Sequence, residues 1–242
     1  MVSMKKFSLV LCALAVTVIL GCSNSNGPLA PTTNGGSVKI SLKLNNTTAP
    51  AAAMMAAGTV PTITSAQVVI KKIEFKSTGG DSMDFELKQP FVQDLLTMDT
   101  LQVIQNVSIP FGSYKGSEIK IDVLKSQDGS AFSQNPELQG KSILVKGYLN
   151  GDPAQTFTFT SSQDVEQEVD FASPLIIDEN SPSTNVVLSI NMNTWLVDSN
   201  GNPLDPTNPQ DRSKIEENIK RSFKVFEDKD DNGKDDDHES DS

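Results

Sequence analysis

Ser37-Val38-Lys39-Ile40-Ser41-Leu42-Lys43-Leu44 sets an apolar side chain at every second position, with Ser or Lys between. In an extended chain successive side chains point to opposite faces, so this stretch reads as a strand with one buried and one wet face. Ile119-Lys120-Ile121-Asp122-Val123 repeats the alternation. So do Ile143, Val145 and Gly147, then Phe157 and Phe159, then Val165, Val169 and Phe171, and finally Val186, Leu188, Ile190 and Met192. Ala66, Val68 and Ile70 are followed by Ile73 and Phe75, so the apolar face switches at Lys71-Lys72, which predicts a bulge. Met83, Phe85 and Leu87 make a further short strand, and Val107 to Ile109 reads as strand. Residues 45–61, flanked by Pro50 and Pro61, read as a loop, whereas Leu95, Leu96, Leu101 and Val103 follow no assignable pattern. Asn150-Gly151, before Phe157 and Phe159, predicts a hairpin somewhat wider than two residues. About eight or nine short strands with turns at regular intervals imply an antiparallel sandwich or barrel. The expected fold is mainly β: an antiparallel β-sandwich of immunoglobulin or transthyretin type, with one C-terminal helix and an acidic tail.

Composition removes several function classes. The 242 residues carry 20 Lys+Arg against 31 Asp+Glu, a formal net charge of −11. That balance argues against nucleic acid as a partner, since phosphate binding needs clustered Lys and Arg. One histidine, His238, and two cysteines, Cys12 and Cys22, are too few and too terminal for a Cys/His zinc site, a Ser-His-Asp or Cys-His nucleophile in a folded core, or a disulfide framework. Neither a phosphate loop nor a nucleophile elbow is found, so no catalytic residue is assigned. A carboxylate pair for glycoside hydrolysis has no local spacing rule, and Asp84, Glu86, Asp122 and Asp170 stand equally well as surface charges. Trp195 and Tyr148 offer rings for sugar stacking, but a lone aromatic in a two-sheet fold is usually core.

The first residues read as an address. Lys5-Lys6 precede an apolar run over residues 7–20, too short to span a bilayer, which takes roughly 20 apolar residues. Leu20-Gly21-Cys22 closes the run, and Ser23-Asn24-Ser25-Asn26 follows. This resembles a bacterial lipobox, which implies that the Cys22 thiol takes a diacylglycerol and becomes the mature N-terminus. Two or three acyl chains on one residue give stable anchoring, each buried methylene contributing about 0.8 kcal/mol. Ser23 rather than Asp after the cysteine implies, by enterobacterial sorting rules, export to the outer membrane.

Gln93-Asp94-Leu95-Leu96, Ile109-Pro110-Phe111-Gly112-Ser113-Tyr114 and Ile119-Lys120-Ile121-Asp122-Val123 follow one another in that order. This succession resembles the family catalogued as domain of unknown function 4382, found in exported bacterial lipoproteins, over roughly residues 36–192. The resemblance implies a β-sandwich and export, and no reaction. Physically, Pro110 to Tyr114 reads as a turn into a strand with a buried aromatic.

Near the C-terminus, Ser213-Lys214-Ile215-Glu216 has the form of a capping box, and Ile215, Ile219, Phe223 and Phe226 share one helical face, predicting a helix of about 14 residues. Asp228, Asp230, Asn232, Gly233, Asp236 and Glu239 then occupy positions 1, 3, 5, 6, 9 and 12 of an EF-hand loop. Calcium takes six to eight hard oxygens, Gly at position 6 permits the turn, and the carbonyl of Lys234 at position 7 adds a ligand. The plain alternative is a solvated acidic tail, since residues 227–242 hold nine acids against Lys229 and Lys234.

The expected organisation is a signal peptide over 1–21, a flexible tether over 22–36, the β-sandwich domain over 37–198, a turn-rich segment and helix over 199–226, and the acidic tail over 227–242. The expected function is an exported lipoprotein, anchored through Cys22 to the cell envelope at the outer membrane, serving as a non-catalytic binding module for a protein or glycan or as a structural element. No cofactor is required. The alternative is a calcium-dependent adhesion or assembly lipoprotein using Asp228, Asp230, Asn232, Lys234, Asp236 and Glu239. A carboxylate-based glycoside hydrolase stands last.

Overall fold

The computed structural model describes residues 35–44, 60–96 and 101–235. Over these the chain is mainly β, in two open sheets. The strands are β1 (Gly35–Leu44), β2 (Pro61–Ser77), β3 (Phe85–Leu87), β4 (Phe91–Asp94), β5 (Gln102–Pro110), β6 (Gly112–Ile121), β7 (Ile143–Leu149), β8 (Asp152–Ser161), β9 (Val165–Ile177), β10 (Ser183–Ile190) and β11 (Phe223–Glu227). Two short helices are α1 (Ser130–Gln134) and α2 (Arg212–Arg221). One sheet has the order β11-β10-β1-β5; the other runs β8-β7-β2-β6-β9, with β3 and β4 also on β2.

The period-two stretch at Ser37 is β1, with Val38, Ile40 and Leu42 fully buried. It pairs antiparallel with β5 but parallel with β10, in register from Ser37↔Ser183 to Leu44↔Ile190. The expectation of purely antiparallel sheets therefore fails at this pair. A strand whose partner lies far along the chain is not bound to a hairpin's direction.

β2 is the spine of the larger sheet. Its register with β6 shifts between Ile70 and Lys72, where the sequence predicts a bulge, and the shift returns Ile73 and Phe75 to the face of Val68 and Ile70. Val69 points the other way, into a second cluster with Leu124, Ala131, Leu138 and Leu144 under α1. β7 and β8 are joined by Asn150-Gly151 alone, both with positive φ (56° and 69°), so the turn is tighter than expected. Two central residues of positive φ suit the right-handed twist of a hairpin. The extra length sits in β8 instead, where the register slips between Tyr148↔Thr156 and Leu149↔Asp152.

Between β5 and β6 the chain passes from one sheet to the other through Phe111. Tyr114 is 2% exposed, and its hydroxyl donates to the Pro110 carbonyl at 2.8 Å, tying the corner to the strand it has left. Its ring meets that of Phe75 edge to face, with centroids 6.1 Å apart. Burial pushes the phenol up to about 12. This is the buried aromatic that the Pro110 to Tyr114 turn predicts, with the hydrogen bond of a tyrosine corner.

The C-terminal helix is shorter than predicted. α2 ends at Arg221, and Phe223-Lys224-Val225-Phe226-Glu227 is a strand on β10, from Ile190↔Phe223 to Val186↔Glu227. The capping box does not form: Asp211 is the N-cap, Ser213 lies inside the helix, and Glu216 accepts from Ser161 Oγ at 3.0 Å and pairs with Arg212 at 3.1 Å. One hydrophobic cluster takes side chains from both sheets and from α2, including Ile40, Ile70, Ile121, Leu188, Trp195, Ile215, Phe223 and Val225. The residues after 198 thus share the core of the strands before them. Trp195 is fully buried and donates through Nε1 to Ser222 Oγ at 2.7 Å.

Candidate functional site

The residues that the sequence offers for a calcium loop begin, among those the structure describes, where β11 ends. Asp228 follows the last strand residue, so a strand enters the loop, not the helix an EF-hand uses. Asp228 N donates to the Asn185 carbonyl at 2.9 Å, extending the β10–β11 ladder by one bond. That bond turns the Asp228 side chain inward, where it is 0% exposed. Oδ1 accepts from Asn232 N at 2.9 Å, and Oδ2 accepts from Gly233 N at 2.8 Å and from Asn185 Nδ2 at 3.1 Å. Asn185 Oδ1 in turn accepts from Ser41 Oγ at 2.7 Å, so a buried polar chain runs from β1 through β10 to the loop. These three donors replace the water that a buried carboxylate loses.

Beyond Asp228 the loop lies over β1. Asp230 Oδ1 accepts from Asn232 N at 3.1 Å and Oδ2 from Asn232 Nδ2 at 2.9 Å, while Asn232 Oδ1 accepts from Lys234 N at 2.6 Å. Asp231 (φ 59°) and Gly233 (φ 75°) adopt left-handed backbone. Lys39 pairs with Asp231, and Lys43 Nζ donates to the Gly233 carbonyl. Asp228, Asp230 and Asn232 are thus brought to one small loop, with Lys234 following. Asp236, Glu239 and Cys22 lie outside the described residues. Among the described residues, no three His, Cys, Asp or Glu side chains converge as a metal-ion set.

Three of the four carboxylates weighed for hydrolysis have local partners. Asp84 Oδ1 accepts from Ser77 N at 2.7 Å. Glu86 pairs with Lys88 at 2.7 Å. Asp170 sits in β9 opposite Gly116. Asp122 accepts from Val123 N at 2.6 Å and pairs with Lys125 at 3.1 Å. Burial pushes the Asp122 carboxyl up, but the Val123 amide and the Lys125 and Lys71 charges outweigh it and hold it below its ordinary value. Tyr148 is half-buried in β7, opposite Thr62 and Thr156, and Trp195 is core.

Two features lie beyond what the sequence signals. Glu118, on the outward face of β6, is only 4% exposed because Lys72 and Lys76 of β2 close over it, Lys76 at 3.2 Å. Burial pushes its carboxyl up, and the hydrogen bonds and charges of the two lysines more than reverse this, leaving it below its ordinary value. Glu227, the last residue of β11, is also buried, beside a cavity of about 370 Å³ between the end of β9 and the start of β10. A single acid within an acidic run carries no local signal of burial. Comparison with protein-family models, with curated proteins and with solved structures found no match to this chain.

Proposed function

We propose that this chain is an exported lipoprotein, anchored through lipidated Cys22 in the outer membrane of a bacterial envelope. Its two-sheet body, a sandwich of immunoglobulin or transthyretin type, serves as a non-catalytic binding or structural module. The observation that carries this reading is Leu20-Gly21-Cys22 closing a basic-then-apolar leader, with a Ser/Asn/Gly-rich stretch between it and β1. The sequence resemblance to the domain of unknown function 4382 family, found in exported lipoproteins, supports it. The engagement of Asp84, Glu86, Asp122 and Glu118 in strand-end and cross-strand pairs supports a structural use of these acids. Expression with labelled palmitate tests the anchor: label is expected on the native chain and absent from Cys22→Ala, which should accumulate unprocessed. Label retained by Cys22→Ala would remove the reading.

A second reading has an observation of its own. Asp231 and Gly233 hold the loop in a turn whose Asp228 Oδ2 accepts from Gly233 N, which supports a calcium loop of Asp228, Asp230, Asn232, the Lys234 carbonyl, Asp236 and Glu239. Such a loop would act in adhesion or assembly, with affinity of about 10⁻⁴–10⁻³ M as in extracellular modules. Calorimetry should then show one-to-one calcium binding that disappears in Gly233→Val and in Glu239→Ala. Weak, salt-sensitive association that persists in Gly233→Val would leave only an acidic tail.

A further inference from the structure

The cavity beside Glu227 is a product of the β9 backbone. Tyr114 pairs with Leu175, yet Gly116, two residues on, pairs with Asp170, so residues 171–174 loop out of the ladder. The strand resumes at 175–177, near β11, the edge strand of the smaller sheet. The space left there is lined by the aliphatic Ile176 on one side and by Ser181, Ser183, Thr184, Glu227 and Lys229 on the other.

The Glu227 side chain is 2% exposed. Its Oε1 accepts from Thr184 Oγ1 at 3.1 Å. Its Oε2 has no hydrogen-bond donor; Lys229 Nζ lies 3.3 Å away, close enough to pair by charge but outside hydrogen-bonding alignment. Leaving a buried carboxylate oxygen without a donor is costly, so a ligand that supplies one is rewarded there more than at a solvated acid. Ile176 is 57% exposed beside it, an uncovered aliphatic surface next to a polar rim.

We propose that this cavity binds a saccharide unit through two adjacent hydroxyls. Oε2 is enclosed, so the exposed Lys229 side chain moves aside to admit one hydroxyl, which donates to Glu227 Oε2, while the neighbouring hydroxyl accepts from Lys229 Nζ. The C–H face of the ring lies on Ile176, and the three serine and threonine side chains meet the remaining hydroxyls. A carboxylate accepts only and an ammonium donates only, so a group able to do both on neighbouring carbons serves the pair. An amino-acid zwitterion also matches one acid and one base, but its two charged ends leave the three hydroxyl side chains unused. The volume suits one sugar ring, at the small end of ligand cavities. The proposal rests on the binding-module reading and gives that module a ligand class.

The test is calorimetric titration of the full chain in phosphatidylcholine nanodiscs with the methyl glycosides of glucose, galactose and mannose, empty nanodiscs subtracted. At least one glycoside should bind saturably at one-to-one stoichiometry. Ile176→Asp and Lys229→Ala, both at exposed positions where the circular dichroism spectrum is expected to stay that of the native chain, should each weaken it about tenfold or more. Glu227→Gln should do the same, but the two surface variants decide the matter if that buried change disturbs folding. Absence of saturable binding by all three glycosides, equal binding by the two surface variants, or binding of glycine in their place would overturn the proposal. None of these outcomes touches palmitate labelling at Cys22, so failure here is distinguishable from failure of the lipoprotein reading.

Discussion

Gly147 has no space for a side chain. A Cβ there would lie 1.9 Å from the Thr62 carbonyl oxygen and 2.8 Å from the Phe157 ring, and one of those neighbours is backbone of the adjacent strand. Gly147→Ala must therefore part β7 from β2, and a loss of about 3 kcal/mol is expected in urea unfolding, at the upper end for overpacking. Tyr114→Phe removes only the bond to the Pro110 carbonyl and leaves the ring packed, so about 1 kcal/mol is expected from the same measurement. Glu118 gives the residue scale its pH dependence. Because its folded carboxyl lies below the ordinary value of 4.5, its contribution is fully present above that value and is lost as the pH falls through the lower, folded one. Unfolding midpoints of the native chain should fall more steeply with acid below 4.5 than those of Glu118→Gln. Parallel slopes would show that the two lysines do not discriminate the charged form.

At the scale of elements, the segment from Ile215 to Glu227 shows how two periods compete. Ile215, Ile219, Phe223 and Phe226 satisfy a helix; Phe223, Val225 and Glu227 satisfy a strand equally well. β10 decides between them, and its position some thirty residues upstream leaves no mark in the local pattern. The period-two strands were legible because burial of alternate residues is a local property, and so was the bulge at Lys71-Lys72. The β1–β10 direction, the four-residue strand β4 and the covering helix α1 were not, because each depends on a distant partner. The loop after β11 follows the same division: its acceptor spacing is legible, and the Asn232 and Gly233 amides that donate to Asp228 are local, whereas the third donor, Asn185 Nδ2, comes from another strand. This assigns Asp228 a structural duty independent of any metal. Asp228→Ala would strand Gly233 N and Asn185 Nδ2 and leave Asn232 N only its bond to Asp230 Oδ1, and a loss of about 2–3 kcal/mol is expected with chelator present. Exposed Asp230→Ala should change stability by a few tenths only. Equal and small effects of both variants in chelator would return Asp228 to the status of a solvated acid.

For the molecule as a whole, the question is where the folding unit ends. Composition places a boundary near 198, where alternating strands give way to turn residues and prolines. The packing runs across it. Leu204 ahead of α2, Ile215 and Ile219 of α2, and Phe223 and Val225 of β11 are buried in the cluster that holds β1, β2, β6 and β10. Trp195, the largest fully buried side chain, finds its hydrogen-bond partner only in Ser222. β11 also covers the edge of β10, whose amides and carbonyls would otherwise stand open. Full burial of one such aliphatic or aromatic side chain contributes about 1.5–3 kcal/mol, and a domain's net stability is about 5–15 kcal/mol, so the loss of five of them is comparable with the whole. A chain of residues 36–198 is therefore expected to lack a cooperative thermal transition by circular dichroism, whereas 36–235 should keep one, in chelator as in calcium. The difference follows from the origin of the core: a segment that supplies one wall cannot be removed without opening the others to water. A cooperative melt of the shorter chain at an unchanged temperature would mean that α2 and β11 dock on a body already complete.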